Sequence, residues 1–391
     1  MMSKVSILMT VLLMAIGAAM WGLWSSYFEP KLLLFSPERR VGNFANMDKV
    51  FPASHVPAST APLRFEEQLK QIVENYQYND RIHSVRDFIE RSSSTGLLVI
   101  KDGKIVHEWY IDGYDASTNI TSFSVAKSFV STLIGIAQSE GLLSVDDPII
   151  KHIPQLKDSA FADVTIEDAL QMSTGIAFSE IYEDKSTDSY TIFDKMFIWA
   201  QPIDLLTGSY DSKSSPGKQF DYASINTQVL SYVLRSVYNK PLVDILHKKI
   251  WQPAGMSSSA YWNTDLYGTE LGFMALNATL RDYAKLGLLM LNNGTLNGHR
   301  IVSSAWVETA TSPAKPYLER GKIYGEWGYQ HQWWLPKGNN QDFAAIGIWG
   351  QMIYVNPAKN VVIVKSAADP KFKDHEFESV VLFRQIANTL K

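Results

Sequence analysis

The stretch "NITSFSVAKSFVSTLIGIAQSEG", Asn119 to Gly141, sets Ser124 and Lys127 three residues apart at the mouth of an apolar run. Two further Ser-x-x-Lys matches, Ser215 to Lys218 and Ser312 to Lys315, lie among proline and glycine with no helical pattern behind them, so they read as loops. Behind Ser124, by contrast, Phe129, Val130, Leu133, Ile134 and Ala137 recur at helical spacing, and Gly141 supplies a stop. The spacing predicts a buried helix that opens at the serine. Residues three apart share a helix face, which brings the Lys127 amine within reach of the Ser124 hydroxyl. A serine needs a neighbouring base to act as a nucleophile, and a lysine desolvated beside an apolar helix loses proton affinity. The N-terminal end of the helix also directs N–H groups and a positive dipole toward negative charge developing at the serine.

The rest of the composition narrows the function classes. The 391 residues are 46% hydrophobic and 12% aromatic, enough for a large core and two structural lobes. A net charge of −4 without a basic tract argues against a nucleic-acid partner. Cysteine is absent, which removes disulfides and thiolate metal sites. The eight histidines include no His-Glu-x-x-His, and no Gly-x-Ser-x-Gly elbow occurs, so a metallohydrolase and an α/β-hydrolase nucleophile are both disfavoured.

At the N-terminus, Lys4 precedes an uncharged, largely apolar run from Val5 to Trp24, long enough at 1.5 Å per residue to cross a bilayer core. We read residues 1–28 as an uncleaved signal-anchor, with Gly17-Ala18-Ala19 as the cleavage site of the alternative, a signal peptide. Either way, Lys4 on the short side points to an exported body, anchored in the inner membrane and lying in the periplasm or outside the cell. Residues 29–64 are punctuated by proline and predict an extended arm that lies on the body or spaces it from a membrane.

From Phe65 to Tyr76 the pattern predicts a helix. "GLLVIKDGKIVHEWYIDGY" predicts a hairpin turning at Lys101-Asp102-Gly103-Lys104. Thr165-Ile166-Glu167-Asp168 and Thr279-Leu280-Arg281-Asp282 read as capping boxes that start helices. Strand patterns return in "HQWWLP", "DFAAIGIWGQMIYVNP" and "NVVIVKSA", and a last amphipathic helix is predicted from Glu376 to Leu390. Strands at both ends of a helical middle predict one sheet assembled from residues 65–120 and 320–391, with residues 121–319 forming a helical second lobe.

The ordered set "SFSVAKSF", "IEDALQMSTGI", "SSPGKQFDYASINTQVLSYVL", "KKIWQPAGM", "LRDYAKLGLLMLNNG" and "AAIGIWGQMIYVNP" resembles the penicillin-binding-protein and class C β-lactamase group of serine hydrolases, over Phe65 to the end. Within the group the chain is similar to the 6-aminohexanoate-dimer hydrolase and carboxylesterase branch. The resemblance implies a β-lactamase/transpeptidase-like fold of the α/β plus all-α kind, with an antiparallel sheet. It implies Ser124 as the acylated nucleophile, Lys127 as its proton partner and Tyr222, in "FDYASIN", as the proton shuttle to the leaving group. The oxyanion hole would be the backbone N–H groups of Ser124 and of Gln351, the residue after Gly350 on the edge strand; such donors contribute about 2.7–4 kcal/mol each. Tyr182 matches a loop tyrosine that contacts substrate in the nylon-oligomer branch, and Glu180, Glu183, Asp184 and Asp188 make that loop acidic, suited to an amine-bearing substrate.

Two departures bear on substrate. Tyr-x-Asn is replaced by Tyr222-Ala223-Ser224, with Asn226 two residues further on, and Lys-x-Gly or His-x-Gly by Ile348-Trp349-Gly350. The expected substrate-binding set is therefore Tyr182, Ser224, Asn226, Ile348, Trp349 and Gly350, without the cation that grips a substrate carboxylate. The sequence thus points to a serine hydrolase of a small ester or amide that uses no metal or organic cofactor. A β-lactamase or D-alanyl peptide hydrolase is the alternative within enzymes, and a catalytically inactive membrane-anchored sensor or binding protein is the alternative outside them.

Overall fold

The computed structural model describes residues 4–390. Asp102 and Gly103 take positive φ, 52° and 77°, as a two-residue hairpin turn requires. They join β1 (Ser94–Lys101) to β2 (Lys104–Tyr110). The C-terminal end supplies β3 (Trp327–Gln330), β4 (Trp333–Pro336), β5 (Phe343–Gly347), β6 (Gln351–Asn356) and β7 (Val361–Ala367). All pairs are antiparallel in the order β3-β4-β5-β6-β7-β1-β2, so the last strand of the chain pairs with the first of the sheet. The β-lactamase/transpeptidase-like sheet built from both chain ends is present.

The helices are α1 (Lys4–Leu23), α2 (Ala126–Ser139), α3 (Asp188–Phe197), α4 (Ser224–Tyr238), α5 (Leu280–Leu291) and α6 (Phe372–Thr389), with shorter turns between them. Strand periodicity sorts the core into two layers. Leu98, Ile100, Ile353, Val355, Val362 and Val364 face the helical lobe, while Leu97, Val99, Met352, Tyr354, Val361 and Ile363 face α6. Gly287 lets α5 lie directly on the sheet, because a Cβ there would fall 2.6 Å from Val362 Cγ1. Both capping threonines start helices: Thr165 and Thr279 each accept a hydrogen bond from the backbone N–H three residues on. Helix α6 begins at Phe372, earlier than the predicted Glu376.

Three expectations are corrected. The segment from Phe65 to Tyr76 is not a helix. It runs beside β2, where the Gln68 and Lys70 amides donate to the Ile105 and Val106 carbonyls, and its last residues start a hairpin of Asn75–Tyr78 with Arg81–Ser84. Pairing with an edge strand satisfies backbone groups that a helix would have satisfied internally. Next, the arm is not simply extended: Glu29–Leu32 and Arg40–Phe44 are helical turns, and Leu34, Phe44, Met47, Val50, Phe51 and Val56 are buried in the core. Finally, the helical middle carries part of a second sheet, in which Ala53–Val56, Ala260–Asn263, Leu276–Ala278 and Ile120–Thr121 pair in that order. These strands have two to four residues, too few for periodicity to reveal.

Helix α1 is followed without a break in the helical path by Trp24–Phe28 and Glu29–Leu32. The segment Val11–Leu32 is long and apolar enough to cross a membrane by length and composition, and none of its apolar window is buried in the body.

Every residue of α2 from Ala126 to Ala137 is buried, and a Cβ on Gly135 would fall 2.3 Å from the Trp306 ring. Gly135→Ala is expected to destabilise the chain by about 1–3 kcal/mol, the usual range for overpacking a core. The check is the urea midpoint of the detergent-solubilised protein; an unchanged midpoint would mean that Trp306 moves aside at no cost.

Candidate active site

Between Ile120 and Ala137, Ser124 alone is not buried. It sits in a short 3₁₀ turn, Phe123–Val125, that feeds α2. Phe123 before it adopts φ 43°, a left-handed conformation that costs a non-glycine residue about 1–2 kcal/mol. Packing holds it there: Phe123 is 1% exposed, and Phe44 meets it edge-on at 5.0 Å between ring centres.

Lys127 Nζ donates to Ser124 Oγ at 2.8 Å and to the Phe273 carbonyl at 2.8 Å. The Phe273 loop is itself pinned. Gln228 on α4 donates to the Glu270 carbonyl at 3.0 Å and accepts from the Gly272 amide at 2.8 Å, and Trp262 Nε1 donates to the Leu271 and Met274 carbonyls. Burial lowers the Lys127 pKa to about 8, while the charge of Glu180 pulls it back upward. At pH 7 about one amine in ten is then neutral and able to take a proton.

Tyr222 lies across the amine, with its ring centre 5.2 Å from Lys127 Nζ, and it stacks on Trp334 at 5.7 Å. Burial holds the phenol pKa well above 10, the charges of Tyr329 and Glu180 add to this, and the hydrogen-bonding contact with Ser124 opposes it. The phenol is a proton donor at neutral pH. Ser124, Lys127 and Tyr222 are thus gathered at one point.

The other expected residues divide. Tyr182 lines both cavities beside Ser124, packs edge-on to Phe372 at 5.7 Å and donates its hydroxyl to Glu180. Ser224 lines the apolar cavity, but its amide and hydroxyl donate to Glu180 at 2.7 and 2.8 Å, so its hydroxyl proton is already engaged. Asn226 is not in the site. It is fully buried inside the packing of α4, accepts from Thr174 Oγ1 at 2.9 Å and directs its amide at the Met172 sulfur.

The glycine pattern is also shifted. Strand β5 ends at Gly347, where a Cβ would fall 2.3 Å from the Ser122 carbonyl and 3.1 Å from the Ser124 amide nitrogen. Residues 348–350 form a turn in which Trp349 and Gly350 have φ 63° and 87°. Gly350 and Gln351 are therefore carried away from Ser124. Gln351 starts an interior strand, not an edge strand, donates Nε2 to the Ala367 carbonyl at 2.6 Å and faces a separate small cavity with Thr121 and Lys365. The backbone abutting Ser124 is that of Gly347-Ile348, and Ile348 lines both adjoining cavities. Set in register by Gly347, the preceding residues are Ala345 and Ile346, which also carry no cation.

One cavity, of about 170 Å³, is walled by Phe35, Phe178, Phe193, Phe273, Trp349 and Phe372. The other, of about 570 Å³, is lined by Glu180, Asp221, Glu326, Glu376, Lys213 and Lys373. In the sequence Glu180 is one charge of an acidic loop, yet it joins Tyr182 to the start of α4 and lines both cavities. Its role depends on a contact across 44 residues that no local pattern encodes. Burial pushes the Glu376 carboxyl up to about 8, opposed by the charges of Lys373 and Lys365.

Residues 80–380 match the sequence profile of the family described as Beta-lactamase. The chain belongs to the beta-lactamase family. As a member it is an enzyme of the serine-hydrolase type, similar over 74% of its length, at 26% identity, to the 6-aminohexanoate-dimer hydrolase of Paenarthrobacter ureafaciens, of which it covers 76%. A candidate 6-aminohexanoate-dimer hydrolase from Bacillus anthracis shares its fold with a TM-score of 0.83 at 23% identity, covering 91% of this chain and 95% of that one. A family VIII carboxylesterase aligns with a TM-score of 0.59 at 17% identity, over 78% of this chain and 96% of that one.

If Lys127 must shed its proton before it can accept one from Ser124, kcat/KM for a neutral ester rises about tenfold per unit of pH below the amine pKa and levels above it. With burial setting that pKa at about 8, the limb is expected near there. Glu376→Gln, which removes the other cavity group pushed to about 8, is expected to keep it. A flat profile from about pH 6 to 9 contradicts the role of Lys127, and loss of the limb in Glu376→Gln would assign it to the carboxyl instead.

Proposed function

We propose that the chain hydrolyses a small ester or amide with a neutral acyl group through an acyl-enzyme on Ser124. One observation carries the reading: a buried amine of lowered pKa donates its hydrogen bond to Ser124, the one residue between Ile120 and Ala137 that is not buried. Lys127 takes the Ser124 proton as Oγ bonds to the substrate carbonyl carbon. The amides of Ser124 and Ile348 stabilise the oxyanion, a role that falls to Ile348 rather than Gln351 because Gly347 abuts the nucleophile. Tyr222 passes a proton to the departing alcohol or amine. Water then cleaves the acyl–Oγ bond, releasing a carboxylic acid and restoring the serine.

The substrate reading rests on the walls. Apolar β5 residues leave a β-lactam or D-alanyl carboxylate without a partner there, and the cations of the larger cavity, Lys213 and Lys373, are already ion-paired with Asp221 and Glu183. The surplus of carboxylates in that cavity suits an amine-bearing leaving group. Relatives named as an amide-dimer hydrolase and a carboxylesterase agree with this chemistry. The apolar N-terminal helix supports anchoring in the inner membrane, with the body exported.

A fluorophosphonate probe is expected to label wild-type protein and not Ser124→Ala; equal labelling would remove Ser124 from the mechanism. Lys127→Ala and Tyr222→Phe should each lower kcat by orders of magnitude, with the double variant little worse than the worse single one. Fully additive losses would mean that the two residues share no proton path. Between substrates, kcat/KM for a short p-nitrophenyl ester should exceed that for penicillin by at least about tenfold, the factor 1.4 kcal/mol represents, and comparable values would favour a β-lactamase.

A further inference from the structure

The apolar cavity is tied on two sides to the end of the N-terminal helix. Helix α3 contributes Ile192 and Phe193 to the cavity wall. One turn further, Phe197 packs on Phe193 and Phe51, and its carbonyl accepts the Tyr27 hydroxyl at 2.6 Å. Opposite, Phe35 lines the cavity and stacks on Trp349 at 5.1 Å with the rings 12° from parallel. Only the residues between Leu23 and Phe35 separate α1 from the cavity wall.

Where the apolar run ends, Trp21 and Trp24 are exposed and Tyr27 touches the body. Tryptophan and tyrosine are the side chains that settle at the level of lipid headgroups, so this girdle sets the membrane surface at the Tyr27–Phe197 contact. The segment after Phe197 presents Ile198, Trp199 and Leu205 to solvent, the last two 71% and 73% exposed. Tyr267 joins them, 62% exposed and bonded through its hydroxyl to the Ala200 carbonyl at 2.7 Å. Single exposed apolar residues are ordinary, but a ridge of large ones within residues 198–205, with Tyr267 bonded to the same segment, marks a surface that something apolar covers. The segment starts at Phe197, which the Tyr27 hydroxyl ties to the chain just beyond α1, so the bilayer is the cover this placement favours.

We propose that this ridge rests in the bilayer surface and that the apolar cavity takes the acyl chain of a membrane-resident ester, which makes the protein an interfacial acyl hydrolase. The inference rests on Ser124 as the acylated nucleophile. The ester C–O bond breaks as the Ser124 Oγ–acyl bond forms, the serine proton leaves on the alcohol, and water releases the fatty acid. A cavity of about 170 Å³ is slightly larger than the roughly 150 Å³ apolar cavity that accepts benzene. It encloses about six carbons next to the carbonyl, and the walls at Phe35 and Phe193, which lead to the end of α1, are the side from which the remainder of a longer chain would leave.

The test uses the full chain reconstituted in phosphatidylcholine vesicles, comparing wild type with the double variant Trp199→Ser, Leu205→Ser. Both keep α1, so anchoring is constant and only the ridge differs. Two substrates are measured: water-soluble p-nitrophenyl acetate and p-nitrophenyl palmitate dissolved in the vesicles. The expected result is equal acetate turnover by the two proteins, vesicle-borne palmitate turnover by wild type, and at least a tenfold loss on palmitate in the variant. Wild type active on acetate but inactive on palmitate would overturn the inference and leave the Ser124 reading intact. Equal palmitate rates in both proteins would also overturn it, leaving the ridge to a protein partner. Absence of turnover on both substrates would overturn the inference together with the hydrolase reading beneath it.

Discussion

Lys127 places an amine inside the protein with two acceptors, the Ser124 hydroxyl and the Phe273 carbonyl, each at 2.8 Å. A fully charged, unpaired ammonium there would be very costly, so the group lowers its proton affinity instead. Much of the surrounding architecture serves that burial. Residues 126–137 of α2 are all buried, the Phe273 loop is fixed by Gln228 and Trp262, and the rings of Tyr222 and Phe273 lie over the amine at 5.2 and 5.9 Å. Lys127 itself is 1% exposed, and the group it bonds, Ser124, is the one residue between Ile120 and Ala137 that is not buried.

The same centre carries backbone strain on both sides. Phe123, before the serine, and Trp349, after the strand that abuts it, both adopt left-handed φ, which large residues hold only when packing over-determines them. The arm supplies that packing. Phe44 meets both rings, at 5.0 and 5.7 Å, and Phe35 stacks on Trp349, while Asp369 fixes the turn by donating its amide to the Trp349 carbonyl. The segment that leads from the N-terminal helix thus packs beside Ser124 and, through Phe35, supplies part of the apolar cavity's wall.

What the sequence disclosed follows the range of the interactions involved. The Ser124 helix was legible because its burial repeats every turn, and the β1–β2 hairpin because Asp102-Gly103 is local turn chemistry. Phe65 to Tyr76 misled because an apolar pattern compatible with a helix was captured by the edge of β2, a partner remote in the chain. The glycine beside Ser124 lies three residues earlier than the sequence suggests, because the turn at Ile348–Gly350 repeats the spacing of residue, residue, glycine that Ala345-Ile346-Gly347 already provides. Glu180 and Asn226 show the same limit in opposite directions. One looked like surface charge and ties the site together; the other looked like a substrate ligand and serves the packing of α4.

The account stands on the Ser124 oxygen becoming the acyl carrier. The most direct measurement is peptide mapping by mass spectrometry after the protein is mixed with a p-nitrophenyl ester and quenched in acid during turnover. The account predicts one acyl mass increment, confined to the peptide that contains Ser124 and absent when Ser124 is replaced by alanine. An increment on any other residue during turnover, or turnover that persists in the alanine variant, would contradict it.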